Sequence, residues 1–329
     1  MKFKAIRIFE EEEKTFVSKI VERSIEELPE GEIVIKVAYS SLNYKDALSS
    51  KGNRGVTREF PHTPGIDAAG TIVSSKVDDF EIGEEVLITG YDLGMNTDGG
   101  FGEYIRVPAS WVVKKPKDLT LKETMIYGTA GFTSALSVYE LIANVKPADG
   151  EILVIGASGG VGNHSVKFLV KLGYSVVGVV NTEAERDFVL SLGATRTISR
   201  EEADNTTGKP MLRPEWAGVI DTVGGNPLST AIRSTKYSGA VTTCGNVAGG
   251  DIPTMNVYPF ILRGVKLIGI DSVNCPMPKR LDVWNTLAKS WKGKNLESGV
   301  VEVSMEGILD KIDEMLAGKL VGRVILKHS

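Results

Sequence analysis

Apolar and polar positions divide the chain into stretches of different rhythm. From Phe3 to about Ile126, short β-type runs (residues 5–9, 32–39, 69–73, 85–90 and 104–107) are separated by glycine, proline and acidic turns. Short strands at irregular spacing predict a small twisted barrel. From Leu121 the period lengthens. Residues 122–141 read as helix interrupted near Gly128 and Gly131, and strand and helix patterns then alternate: strands at 152–155, 176–180, 196–199, 217–221, 240–244 and 265–270, with helical runs at 183–192, 228–235, 259–263 and 280–291. Such alternation predicts a parallel, doubly wound sheet, here of six strands. The tail returns to the first rhythm (strand 300–303, helix 306–316, strand 322–327) and is expected to rejoin the first domain. The predicted class is α/β, with residues 1–121 and 296–329 forming a barrel domain and 122–295 inserted as the doubly wound domain.

The stretch Glu151 to Asn181 organises the second domain. The run Ile152 to Ile155 enters the turn Gly156-Ala-Ser-Gly159-Gly160-Val-Gly162, an amphipathic run continues to Leu172, and Val176 to Val180 closes a βαβ unit. Glycines there permit a tight exit from the strand, close approach of backbone N–H groups to a pyrophosphate, and close packing of helix on sheet. The phosphates are expected at the helix N-terminus, where free N–H groups and the dipole favour negative charge.

Composition bounds the remaining options. A chain of 329 residues suits two domains, and 42% hydrophobic with 24% charged residues is ordinary for a globular protein. The net charge of -4 gives no general attraction to nucleic acid or anionic membrane, so any anion site is local. Cys244 and Cys275 cannot form a disulfide framework, and no run approaches the roughly 18 apolar residues of a membrane span. A cytoplasmic enzyme is the expectation. His62, His164 and His328 are scattered and both cysteines lie in the nucleotide half, so no metal site is expected.

Two stretches carry candidate chemistry. NAD-selective folds end the second strand with an acid that binds the ribose 2'-hydroxyl. Here that strand ends Val180-Asn181-Thr182, and the nearby Thr182-x-x-Glu185 reads as a helix capping box, with Glu183 left as an acid able to face the ribose. Arg186, Arg196 and Arg200 are the cations available on that side, which favours NADPH. The second stretch, Leu42-Asn43-Tyr44-Lys45-Asp46, follows a strand and offers donors for a developing oxyanion and a phenol for proton delivery. The same spacing also suits a polar loop bonding its own backbone. In the following loop, Lys51, Arg54 and Arg58 form either a substrate-binding cationic patch or an ordinary solvated surface.

The motifs SSLNYKDAL, PGIDAAGT, GTAGFT, GASGGVG, PFILRGV and GIDSVNCP, in this order along the chain, resemble the zinc-free medium-chain dehydrogenases/reductases of the YhdH/YhfP-type quinone oxidoreductase and acryloyl-CoA reductase subgroup. The resemblance implies a GroES-like β-barrel catalytic domain and a Rossmann domain. It also implies replacement of zinc ligands at Asn43 and at Ile66-Asp67, with Asn43, Tyr44 and Asp67 as catalytic candidates. The NADPH contacts it implies are Tyr44, Ser158, Gly159, Gly160, Val161, Val180, Asn181, Thr182, Arg200, Asn246, Ile261, Ser272 and Ala317. The subgroup's usual Ser-Gly-Arg-like strand end is absent here, which shifts weight to Arg200, and Ala317 has only its backbone to offer. The implied activity is NADPH-dependent reduction of an activated C=C bond, with acryloyl-CoA or another short 2-enoyl-CoA as substrate. A quinone or enone reductase and a non-catalytic NADPH-binding protein are the alternatives. A homodimer paired through strand 265–270 is implied as well.

Overall fold

The computed structural model describes residues 1–293 and 295–329. In chain order its elements are β1 (Lys2–Glu10), β2 (Phe16–Ser24), β3 (Ile33–Ser41), α1 (Tyr44–Ser50), β4 (Asp67–Ser75), β5 (Glu85–Thr89), β6 (Tyr104–Val107), β7 (Val113–Lys114), α2 (Leu121–Ile142), β8 (Ile152–Ile155), α3 (Gly160–Lys171), β9 (Val176–Val180), α4 (Glu183–Ser191), β10 (Arg196–Ser199), β11 (Trp216–Asp221), α5 (Gly225–Ser234), β12 (Thr235–Thr243), α6 (Tyr258–Arg263), β13 (Lys266–Gly269), α7 (Met277–Ala288), β14 (Val300–Val303), α8 (Met305–Leu316) and β15 (Arg323–Lys327). They fall into two units, Met1–Thr129 with Val273–Ser329, and Ala130–Ser272.

In the first unit β14-β15-β3-β4-β5-β7 form one sheet, with β6 also paired to β3. Its core is built from alternating strand positions such as Ile33, Ile35, Val37, Ile72, Val86 and Ile88. Burying each side chain of this size contributes about 1.5–3 kcal/mol. The tail joins this sheet, since β15 runs antiparallel to β3 with Ile325 opposite Ser41. β1 and β2 form a separate antiparallel ribbon from Lys2/Ser24 to Glu10/Phe16. β2 escaped the sequence pattern because it is largely half-buried and carries polar residues throughout.

The unit boundaries differ from the expected 121/122 and 295/296. Residues 273–295, including α7, belong to the first unit: Arg280 Nη1 donates to the Thr89 carbonyl (2.7 Å), its guanidinium lies 4.5 Å from the Tyr91 ring centre, and Trp284 meets Tyr127 edge-on. α7 has the apolar spacing of an ordinary sheet-covering helix, and that spacing does not reveal which unit it covers.

The second unit is a six-stranded parallel sheet in the order β10-β9-β8-β11-β12-β13. The order reverses beside β8, as in doubly wound folds. β8, β9 and β11 are buried at every position, the continuous apolar pattern of strands covered on both faces.

Candidate functional site

Each unit holds a buried carboxylate around which the predicted site residues gather. In the first unit it is Asp67, fully buried at the start of β4. Its Oδ2 accepts from Ser41 Oγ (2.5 Å), Asn43 Nδ2 (2.8 Å) and the Thr129 N–H (2.9 Å), and its Oδ1 accepts from Thr129 Oγ1 (2.6 Å). Gly128 makes this possible. At φ 50° it breaks the helical path of α2, and a Cβ there would lie 2.4 Å from Asp67 Oδ2. Arg323, on β15, donates from Nη1 to the Leu42 carbonyl (3.0 Å) and Asn43 Oδ1 (3.2 Å), and from Nε to the Ile126 carbonyl (3.2 Å). Asn43 therefore links the acid to the cation.

A second acid, Asp46, is buried beside them. Its Oδ2 accepts the Asn43 N–H (2.8 Å) and its Oδ1 the N–H groups of Gly65 (3.0 Å) and Ile66 (2.8 Å), tying the start of α1 to the turn before β4. Burial, and then the charge of Asp67, push the Asp46 carboxyl up to about 7 against these three donors. Burial likewise lowers the Arg323 pKa, which both acids oppose.

This geometry corrects the expectation for Asn43. Its amide bonds to Asp67, the Ser41 carbonyl (3.3 Å) and Arg323, so it is not a free donor to an oxyanion. Asp67 is equally occupied. Tyr44, half-buried in the first turn of α1, keeps a hydroxyl with no hydrogen bond among the described residues. In the basic loop two of the three cations have partners. Lys51 pairs with Asp313 (2.6 Å), and Arg54 pairs with Glu10 (2.5 Å) and lies 5.1 Å from the Phe60 ring centre, which leaves Arg58 exposed as the remaining cation.

In the second unit the organising acid is Glu185, 7% exposed. Its Oε1 accepts from Ser158 Oγ (3.0 Å) and its Oε2 from the N–H groups of Asn181 (2.5 Å) and Thr182 (3.1 Å), while Thr182 Oγ1 accepts the Glu185 N–H (3.2 Å). The capping box thus also clasps the glycine turn. Arg200 Nη2 stands 3.9 Å from Oε1 with its side chain 64% exposed. Arg196 is drawn away instead, donating to Glu151 (2.7 and 3.0 Å). An open cleft of about 630 Å³ adjoins the strand end, lined by Val180, Asn181, Thr182, Glu183, Arg186 and Ser199 among others.

The glycine turn delivers α3 with its first N–H groups unspent. Gly159, at the N-cap, supplies no side-chain cap, and a Cβ on Gly162 would lie 2.0 Å from the Gly156 carbonyl oxygen. That donor set fits a pyrophosphate. Ser158, Asn181, Thr182 and Arg200 are brought together around Glu185, with Val180 in the adjoining cleft. Asn246 and Ser272 follow β12 and β13, and Ile261 stands 68% exposed on α6. Tyr44 and Ala317 belong to the first unit. Sequence reasoning missed Ser41, Thr129 and Arg323 as members of the Asp67 cluster. Its reading of the 42–46 stretch as a loop bonding its own backbone holds for Asp46, which accepts the Asn43 N–H.

Comparison with known proteins agrees with this geometry. Residues 29–117 match the alcohol dehydrogenase GroES-like domain and residues 160–288 the zinc-binding dehydrogenase family. The quinone oxidoreductase-named protein YhfP of Bacillus subtilis is 46% identical over 92% of both chains. The acrylyl-CoA reductase AcuI of Ruegeria pomeroyi is 36% identical over 98% of both. The crystal structure of the Salmonella enterica YhdH oxidoreductase in complex with NADP superposes with a TM-score of 0.95, at 38% identity and 100% coverage of both chains. The chain belongs to the YhdH/YhfP/AcuI subgroup of medium-chain dehydrogenases/reductases. For this member, the zinc in the family description does not fit the donor set. Among the described residues no group of three or more His, Cys, Asp or Glu converges, and the oxygens of Asp46 and Asp67 are taken by protein donors.

Proposed function

We propose that this protein is a cytoplasmic NADPH-dependent reductase of an activated C=C bond, acting on a short 2-enoyl-CoA such as acryloyl-CoA. The observation that carries the reading is likeness to an acrylyl-CoA reductase along 98% of both chains. The uncapped start of α3 supports it. When bound, NADPH supplies the hydride for the β-carbon. The N–H groups at the start of α3 hold the pyrophosphate, and Asn181, Thr182 and Arg200 receive the 2'-phosphate. Tyr44 or water gives the proton to the α-carbon, and a backbone N–H stabilises charge on the thioester oxygen. Asn43, Asp46 and Asp67 act as positioning residues that fix the start of α1 and hence Tyr44.

Reduction of a quinone or enone is the second reading, favoured by likeness to YhfP and by the neutralising pairs of Lys51 and Arg54. An NADPH-consumption screen with acryloyl-CoA, crotonyl-CoA and quinones decides between them. Turnover of acryloyl-CoA at a far higher kcat/KM is expected, and turnover of quinones alone rejects the first reading. The proposal includes a homodimer joined through β13, the edge of the second unit's sheet, because an unpaired edge invites association. A monomeric mass by light scattering at micromolar concentration overturns that part.

A further inference from the structure

The geometry points to Glu185 as a specificity-setting residue: its buried carboxylate restrains the preference for NADPH over NADH and keeps the adenosine end of the second unit open to both. This rests on the nucleotide-binding reading above. In NAD-selective folds the acid at the end of the second strand gains its effect by accepting a ribose hydroxyl. β9 ends without an acid, but Glu185 reaches the same strand end from within α4 and takes the N–H groups of Asn181 and Thr182. With Ser158 Oγ on its other oxygen, the carboxylate is satisfied by the protein and is spared from ribose recognition.

Its charge is not spared. Arg200 stands 3.9 Å away, well beyond the roughly 2.7–2.9 Å of a charge-assisted hydrogen bond, so the pair is incomplete. At 7% exposure the carboxylate is poorly screened by salt, whereas Arg200, at 64%, is free to swing. A 2'-phosphate has to recruit Arg200 from this partner and to sit in the field of a buried anion. NADH carries no such group and meets neither effect. Glu185 therefore penalises one nucleotide and not the other, while the same residue keeps the strand end and the glycine turn in register for both.

Dissociation constants for NADPH and NADH, read by nicotinamide fluorescence on the intact protein without substrate, test the idea. Glu185→Gln keeps an acceptor at this capping position and removes the charge. It is expected to tighten NADPH roughly tenfold and to leave NADH within about twofold. Arg200→Ala, at an exposed position that spares the fold, leaves the 2'-phosphate facing Glu185 uncompensated, so NADPH is expected to bind more weakly than NADH. If Arg200→Ala merely equalises the two nucleotides, or Glu185→Gln leaves their ratio unchanged or lower, the inference is wrong. Should Glu185→Gln fail to fold, the Arg200 variant decides alone. Binding of neither nucleotide by the unaltered protein would overturn the nucleotide-binding reading together with this inference, whereas binding of both with an unmoved ratio overturns the inference only.

Discussion

Asp67 and Glu185 are both buried carboxylates whose oxygens are claimed by neighbouring donors, yet their cations differ. Around Asp67 the cation is Arg323, 4% exposed and fixed by two backbone carbonyls and an amide. Around Glu185 it is Arg200, loosely held and open to solvent. A sealed acid and cation define a scaffold, since moving either leaves an uncompensated charge in a place water does not reach. An acid with an exposed cation leaves that cation free to serve a ligand. The same chemistry thus rigidifies one unit and tunes the other.

Substitution should separate the two cases most clearly. Asp67→Ala removes an acceptor shared by Ser41, Asn43 and Thr129 and leaves Arg323 short of an anion, and is expected to cost about 3–5 kcal/mol in urea unfolding. Glu185→Ala, which loses three hydrogen bonds, two of them its half of the capping box, and leaves its cation Arg200 in solvent, should cost about 1–2 kcal/mol. Equal losses would break the comparison.

The pH dependence of stability sharpens it further. Asp46 has a folded pKa of about 7, above its ordinary 3.8, so between these values the folded protein keeps a proton that the unfolded chain has released. The contribution of this group is complete below about pH 4 and declines as pH rises to about 7, with a slope of up to about 1.4 kcal/mol per pH unit. Asp46→Asn should abolish that slope in denaturant titrations run across the window. An unchanged slope would show that Asp46 does not titrate there.

Gly128→Ala is expected to destabilise by about 1–3 kcal/mol, because a side chain at φ 50° is strained and its Cβ would overlap Asp67. The smallest effect belongs to the basic loop. Arg54→Ala, which breaks a surface pair with Glu10, should cost about 0–1 kcal/mol, and steady-state kinetics should show acryloyl-CoA and quinone turnover changing by the same small factor. A loss confined to the CoA thioester would restore the loop as a substrate contact.

What the sequence disclosed and what it withheld follow from the range of the interactions. In the second unit β8, β9 and β11 were legible as continuous apolar runs, and the half-exposed edge strands β10 and β13 through their place in the alternation with helical runs. The role of Thr182 and Glu185 as a capping box was legible because it is local. The bond from Ser158 to Glu185 was not, since it joins residues far apart in sequence. Arg323 carried no signal at all: an arginine opening a terminal strand looks like any surface charge until β15 lies against β3. Gly128 showed only as an interruption in a helix, and the carboxylate beneath it was invisible. For Lys51, Arg54 and Arg58 the sequence left a substrate contact and a solvated surface both open, because the counter-ions Asp313 and Glu10 lie outside the loop.

The position of Arg323 also bears on how the chain is made. Asp46, Asp67 and Thr129 are synthesised before the second unit, and Arg323 after it. During translation the two acids have no cation in place while residues 130–272, an uninterrupted stretch able to fold as a unit, emerge from the ribosome. The first unit can close only when β15 arrives. Until then the stretch 130–272 lies between two halves of an unfinished unit.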